Sequence, residues 1–148
     1  MKTNSIIAEK DCFKIDFDTT NKIMILRFYG VIGLKDMIDS LSTGIRHQEF
    51  EFNMSACCDF SEATLDVDIS ATEVIFHFLT GLRDKRGDEY HLALVYSDEI
   101  TKTLMDYYRL AFSRTKVDVE LFRNTEAAHN WIITSQRACS VTYLPKSN

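Results

Sequence analysis

Met54-Ser55-Ala56-Cys57-Cys58-Asp59-Phe60-Ser61 reads as a strand that ends on Asp59-Phe60-Ser61, and its place among its neighbours decides the fold. Upstream, Phe13, Ile15 and Phe17 alternate with Lys14, Asp16 and Asp18. After Thr19-Thr20-Asn21-Lys22 a second run, residues 23–29, is apolar on both faces apart from Arg27, so the pair predicts a hairpin. Gly30 and Gly33 bracket a short connection, and Leu34, Met37, Ile38, Leu41 and Ile45 then recur at helical spacing. Downstream of the quoted strand, a helix from Ser70 carries Val74, Ile75, Phe78, Leu79 and Leu82. It is expected to stop near Gly87, with Arg83-Asp84-Lys85-Arg86 marking an exposed end. Residues 90–96 form another strand, bounded by Ser97-Asp98 and leading into a helix striped by Ile100, Leu104, Tyr107, Tyr108, Ala111 and Phe112. Val117, Val119 and Leu121 make the last strand, and Asn124 caps a closing helix in which Ala127, Ala128, Trp131 and Ile132 share a face.

The order is β-β-α-β-α-β-α-β-α. It predicts an α/β fold in which a single domain carries a mixed sheet of about five strands. An N-terminal antiparallel hairpin comes first, parallel β-α units follow through right-handed crossovers, and the helices lie mainly on one face. Residues 1–10 read as an N-terminal extension, 11–135 as the domain, and 136–148, which contain the only proline, Pro145, as a C-terminal tail.

With a strand ending on Asp59, a long loop into the next helix, and the closing pattern Phe122-x-x-x-Glu126-Ala127-x-x-x-Trp131, the chain resembles the STAS domains, the SpoIIAA-like group of anti-sigma-factor antagonists. The resemblance covers roughly residues 11–135 and implies a SpoIIAA-like fold and a regulatory role rather than catalysis. In that group the strand ending on Asp runs into a loop with a phosphorylatable serine beside a small residue or glycine. Here the corresponding stretch is Leu65-Asp66-Val67-Asp68-Ile69-Ser70-Ala71, which has no glycine. Ser70 is the nearest candidate. Its position in Ser70-Ala71-Thr72-Glu73 also has the spacing of a capping box, which is the favoured reading.

The 148 residues, 45% hydrophobic with ten Phe, six Tyr and one Trp, are enough for one core. A net charge of −5 argues against nucleic-acid binding through a basic surface. No stretch approaches membrane-spanning length, and the chain reads as cytoplasmic. Cys12, Cys57, Cys58 and Cys139 contain no Cys-x-x-Cys unit. Cys57 and Cys58 are strand neighbours facing opposite ways, so at least one reads as a small core residue, and the other stays open as a reactive thiol. Asp66-Val67-Asp68 could hold a divalent cation or serve as the carboxylate pair of a haloacid-dehalogenase-type phosphatase. A calcium loop, however, would need glycine and glutamate where Ala71 and His77 stand, and a phosphatase pair would directly follow an apolar first strand. A solvated acidic loop fits better. His47, His77, His91 and His129 are dispersed, and Gly30-Val31-Ile32-Gly33 has too few glycines for a phosphate loop.

The C-terminal ends of parallel strands and the N-termini of the helices that follow share one sheet edge, where ligands usually sit. That edge collects Asp59, Glu62, Asp66, Asp68, Glu73, Asp98, Glu99 and Glu126, placing carboxylates where a phosphate would bind and favouring a basic partner surface. The leading expectation is a non-enzymatic regulatory module that binds a protein through this acidic edge and the exposed parts of the second helix, a surface to which Asp59, Ser61, Asp66, Asp68 and Ser70 are assigned, with no cofactor and no metal. The alternative is a binder or sensor of a small apolar, lipid-like ligand, held among Phe76, Phe78, Tyr107, Tyr108 and Phe112. A metal-dependent hydrolase using Asp66 and Asp68 ranks third. The oligomeric state, a homodimer included, is left open.

Overall fold

A computed structural model describes Ile6–Lys10 and residues 12–143, with side chains over residues 12–138. Its elements are β1 (Ile6–Lys10), β2 (Phe13–Asp18), β3 (Ile23–Ile32), α1 (Leu34–Arg46), β4 (Ser55–Leu65), α2 (Ser70–Gly81), α3 (Arg83–Arg86), β5 (His91–Val95), α4 (Glu99–Ala111), β6 (Asp118–Phe122) and α5 (Thr125–Tyr143). The five expected strands are present as β2 to β6. A sixth, β1, comes from the segment read as an extension and pairs antiparallel with β2.

Strand order across the sheet follows chain order, β1-β2-β3-β4-β5-β6. The β2/β3 hairpin is antiparallel, and β3/β4, β4/β5 and β5/β6 are parallel. Because the parallel strands advance in one direction, crossovers of one hand put their helices on one face. Met37 and Ile45 of α1, Ile75 and Leu79 of α2 and Met105 of α4 accordingly share a core with Ile15, Phe17, Met24, Leu26, Cys58, Phe60, Leu92 and Leu94. Only α5, which follows the last strand, packs on the opposite face, where Ala128 and Ile132 meet Ile23, Ile25, Cys57, Ala93 and Val95. The hairpin turn is tied by Asp18, whose carboxylate accepts the Asn21 backbone N–H at 3.0 Å and the Asn21 side-chain amide at 2.8 Å.

The quoted strand does not end where the sequence predicted. β4 continues to Leu65, and Asp59-Phe60-Ser61 lies inside it. The register pairs Arg27 with Asp59 but Tyr29 with Glu62, so Phe60 and Ser61 face the single residue Phe28, which is a β-bulge. The Asp59 carboxylate accepts the Ser61 N–H at 2.9 Å within this bulge. The Phe28 and Phe60 rings stack at 4.4 Å across it. Beyond the bulge, β3 absorbs Gly30 and runs to Ile32 beside Leu65, so the predicted short connection is also strand.

The helix expected to run to Gly87 breaks at Leu82, whose φ of −103° and ψ of 13° are non-helical, and resumes as the single turn α3. Arg86, read as part of an exposed charged end, is 2% exposed. Gly87 makes the turn possible: its φ of 87° suits glycine, and a Cβ there would run into Asn53. Asn53 in turn donates its backbone N–H to the Arg86 carbonyl at 2.9 Å. At the far end, Asn124 caps α5 as predicted, accepting the Ala127 N–H at 2.8 Å. α5 then continues through Tyr143, into the stretch read as tail; Pro145 and the Cys139 side chain lie outside the described residues.

Candidate functional site

The five residues named from the sequence fall into two groups. Asp59 and Ser61 sit at the β4 bulge, with Asp59 in register with Val95, the last residue of β5. The Ser61 carbonyl accepts the Ser97 hydroxyl at 2.9 Å, tying the bulge to the loop that opens α4. Asp66, Asp68 and Ser70 lie beyond the strand, in the connection to α2 and its first turn, and all three are exposed.

At that first turn the capping box is not formed as predicted. Ser70 is the first helical residue, and its hydroxyl donates to Asp68 Oδ1, which also accepts the Ser70 N–H at 3.0 Å. The cap is thus the Asp68 carboxylate two residues earlier. Asn, Asp and Ser all cap well, and the loop geometry selects Asp68. The Ser70 hydroxyl, with help from the Ser70 and Ala71 amides, holds the Asp68 carboxyl below its ordinary range against the cost of desolvation. α4 is capped by its own N-cap residue, with Asp98 accepting the Thr101 N–H at 2.8 Å. Both helix N-termini at this edge are therefore occupied by the protein's own carboxylates.

Between them lies a feature the sequence reading missed. Val67, Asp68, Ile69 and Ser70 on one side and Ile100, Thr103 and Leu104 on the other line a surface groove of about 560 Å³. Ile100 is 75% exposed and Ile69 47%. Val74, Tyr107 and Leu110 extend the exposed apolar surface along α2 and α4. The available signal was the helical period: on α4, Ile100, Tyr107 and Leu110 follow one stripe while Leu104, Met105 and Phe112 take the core, so the helix carries more apolar residues than one buried face needs.

Beneath α2 the sheet and helices enclose an apolar cavity of about 80 Å³. Met24, Met37 and Met105 line it, with Tyr108 and, toward the C-terminal end of α2, Arg86 and Tyr90. Of the aromatics proposed from the sequence as a ligand wall, only Tyr108 lines this cavity. Phe76 packs edge-on against Phe112 at 4.8 Å, and Tyr107 faces outward. The Arg86 guanidinium donates to the Met54 carbonyl at 2.6 Å and lies 3.5 Å over the Tyr90 ring and 5.1 Å from the Phe50 ring, with no carboxylate in salt-bridge range among the described residues. Burial lowers its pKa, partly offset by Tyr90 and Tyr108. Burial also raises the Tyr90 and Tyr108 hydroxyls.

Cys57 and Cys58 face opposite cores, as expected. Burial pushes the Cys57 thiol up to about 12 and Cys58 further still, so both are unreactive packing groups, including the one left open as a nucleophile. Among the described residues no three His, Cys, Asp or Glu side chains stand close enough to hold a metal ion, and no helix is long and apolar enough to cross a membrane.

No protein-family model and no curated protein matches the chain. Among solved structures, the anti-sigma factor antagonist SpoIIAA in its unphosphorylated form matches with a TM-score of 0.50 at 13% identity, over 81% of this chain and 96% of that one. The fold is SpoIIAA-like. An uncharacterized protein of the DUF3478 family from Shewanella loihica PV-4, described as having a SpoIIAA-like fold, matches with a TM-score of 0.48 at 14% identity, over 87% of this chain and 91% of that one. At these identities the likeness is one of fold, and the SpoIIAA-like expectation stated from the sequence agrees with it.

Proposed function

We propose that the protein is a non-enzymatic regulatory module that docks a protein partner through the groove between α2 and α4. The observation that carries this reading is the pairing of exposed Ile69 and Ile100 with a carboxylate margin of Asp66, Asp68 and Glu99. An apolar centre with a polar rim is the anatomy of a protein interface. The partner it fits presents an apolar anchor flanked by Lys or Arg. Of the residues named from the sequence, Asp66, Asp68 and Ser70 stand at the groove, while Asp59 and Ser61 support it through the bond to Ser97. The buried free thiols are compatible with a cytoplasmic location.

Photo-crosslinkers at Ile100 and Val74, with a control at exposed Asp118 on β6, test the reading. The expected result is one protein captured from groove positions and not from the control, with capture lost in Ile100→Glu while the melting midpoint is unchanged. Capture through Asp118 alone overturns it.

A second reading, a binder of a small apolar ligand, is supported by the Met-lined cavity under α2. Apolar voids remain dry and accept apolar guests, and methionine linings adapt to them.

A further inference from the structure

The cavity and the surface groove are not separate. Val67 and Leu104 line both, so two apolar side chains, one from the loop before α2 and one from α4, form the wall between them. From that wall the cavity lining continues beneath α2 to Arg86 past its far end; α2 has 12 residues, a length of about 18 Å. A path with an open, partly polar mouth and an apolar interior fits a molecule with a chain and a head.

The charges say which way round such a molecule lies and what head it carries. The interior offers one cation, Arg86, whose guanidinium donates to the Met54 carbonyl and is covered by Tyr90 and Phe50, and the lining is otherwise apolar apart from Thr72 and the hydroxyls of Tyr90 and Tyr108. A carboxylate taken inside would lose its hydration along that lining before meeting Arg86, which lies under two rings at the far end. At the mouth, Asp68 is held ionised by Ser70 and lies in the groove wall, Asp66 is two residues away, and Asp68 and Asp98 accept the Ser70 and Thr101 amides of the two helix starts. An anionic head there meets like charge; an uncharged or cationic head does not.

Resting on the second reading above, we infer that the cavity takes the alkyl chain of a small single-chain amphiphile, which passes between Val67 and Leu104 and leaves a non-anionic head in the groove beside Asp68. Met24, Met37 and Met105 provide the adaptable lining that lets the small resting void widen around the chain.

Titrations of the full chain carrying ¹³C-labelled methionine methyls with octanol, octyltrimethylammonium and octanoate, below their micellar concentrations, test this inference. Saturable shifts are expected at Met37 and Met105, with affinity rising about fourfold per methylene from hexyl to octyl chains. Octanoate is expected to bind about tenfold more weakly at low salt, a gap that narrows as ionic strength rises and in Asp68→Asn. Val67→Trp should abolish the methionine shifts while leaving the amide spectrum folded. If no alkyl probe moves the cavity methyls, the ligand reading itself fails. If octanoate binds as tightly as octanol and loses that affinity in Arg86→Met, the ligand reading stands and the head-outward assignment is overturned. Shifts confined to groove residues overturn the passage between Val67 and Leu104.

Discussion

The two faces of the sheet are built differently. The face under α1, α2 and α4 is covered by large flexible or aromatic side chains and retains a cavity, with an open apolar groove at one end. The face under α5 carries, among the described residues, a small patch of Ile, Ala, Val and Cys, and its margin is charged: Asp16, Asp18 and Arg27 lie beside it, with His129 of α5 3.0 Å from Asp18. Gln136 of α5 adds bonds to Ser55 at 2.7 Å and to the Asn21 carbonyl at 3.0 Å. The difference separates two tasks. The α5 face fixes one helix by packing and polar ties, whereas the three-helix face leaves room for something else to enter.

Deleting side-chain volume gives the largest test of this contrast. Ile132 is fully buried on the α5 face, and Ile132→Ala should cost about 4 kcal/mol, because removing a fully buried side chain leaves a cavity. Met105→Ala, beside an existing void, should cost only about 2 kcal/mol. Urea unfolding of both variants checks this. Equal costs would mean that the two faces are packed alike in solution.

A test of the α5 margin comes next in size. Asp16 is buried with Oδ1 unpartnered. Desolvation raises its pKa, with Asp18 adding to the rise and Arg27 at 3.6 Å opposing it. Asp18 also pays for burial, but hydrogen bonds from Asn21 and the nearby His129 bring its pKa below the ordinary value. The signs are therefore opposite. A raised folded pKa means that Asp16 favours folding below 3.8 and loses that contribution as pH rises through its folded value. A lowered one means that Asp18 contributes above 3.8 and loses its contribution as pH falls. Asp18→Asn should cost about 1–3 kcal/mol at pH 7. Asp16→Asn should stabilise at pH 7, with the gain vanishing below pH 3.8. Denaturation at pH 7 and pH 3 measures both, and like signs at pH 7 would contradict the arrangement.

The smallest effect concerns the groove end of the three-helix face. Asp68→Ala should lower the melting midpoint more than Ser70→Ala, since the carboxylate holds both the Ser70 amide and its hydroxyl. The reverse order would restore Ser70 as the cap expected from the sequence.

Much of this architecture was legible in the order of residues. Alternation at Phe13, Ile15 and Phe17 and helical spacing from Leu34 to Ile45 located the hairpin and α1, because side-chain direction follows backbone period. The twin cysteines were assigned to opposite faces, and Asn124 to its cap, by the same local rules. What failed was non-local. The extension of β4 past Asp59 needs Tyr29, Gly30, Val31 and Ile32 of β3 to pair with it and a bulge to keep register. The burial of Arg86 needs Phe50, distant along the chain, to join the nearby Tyr90 in covering its guanidinium. The groove exists only where the starts of α2 and α4 meet. Sequence by itself determined the kinds of element, their order and the parallel winding, since each depends on neighbours a few residues apart. Tertiary structure alone decided where β4 stops, which carboxylate caps α2, and that Val67 and Leu104 divide a cavity from the surface, because contacts between remote segments set these.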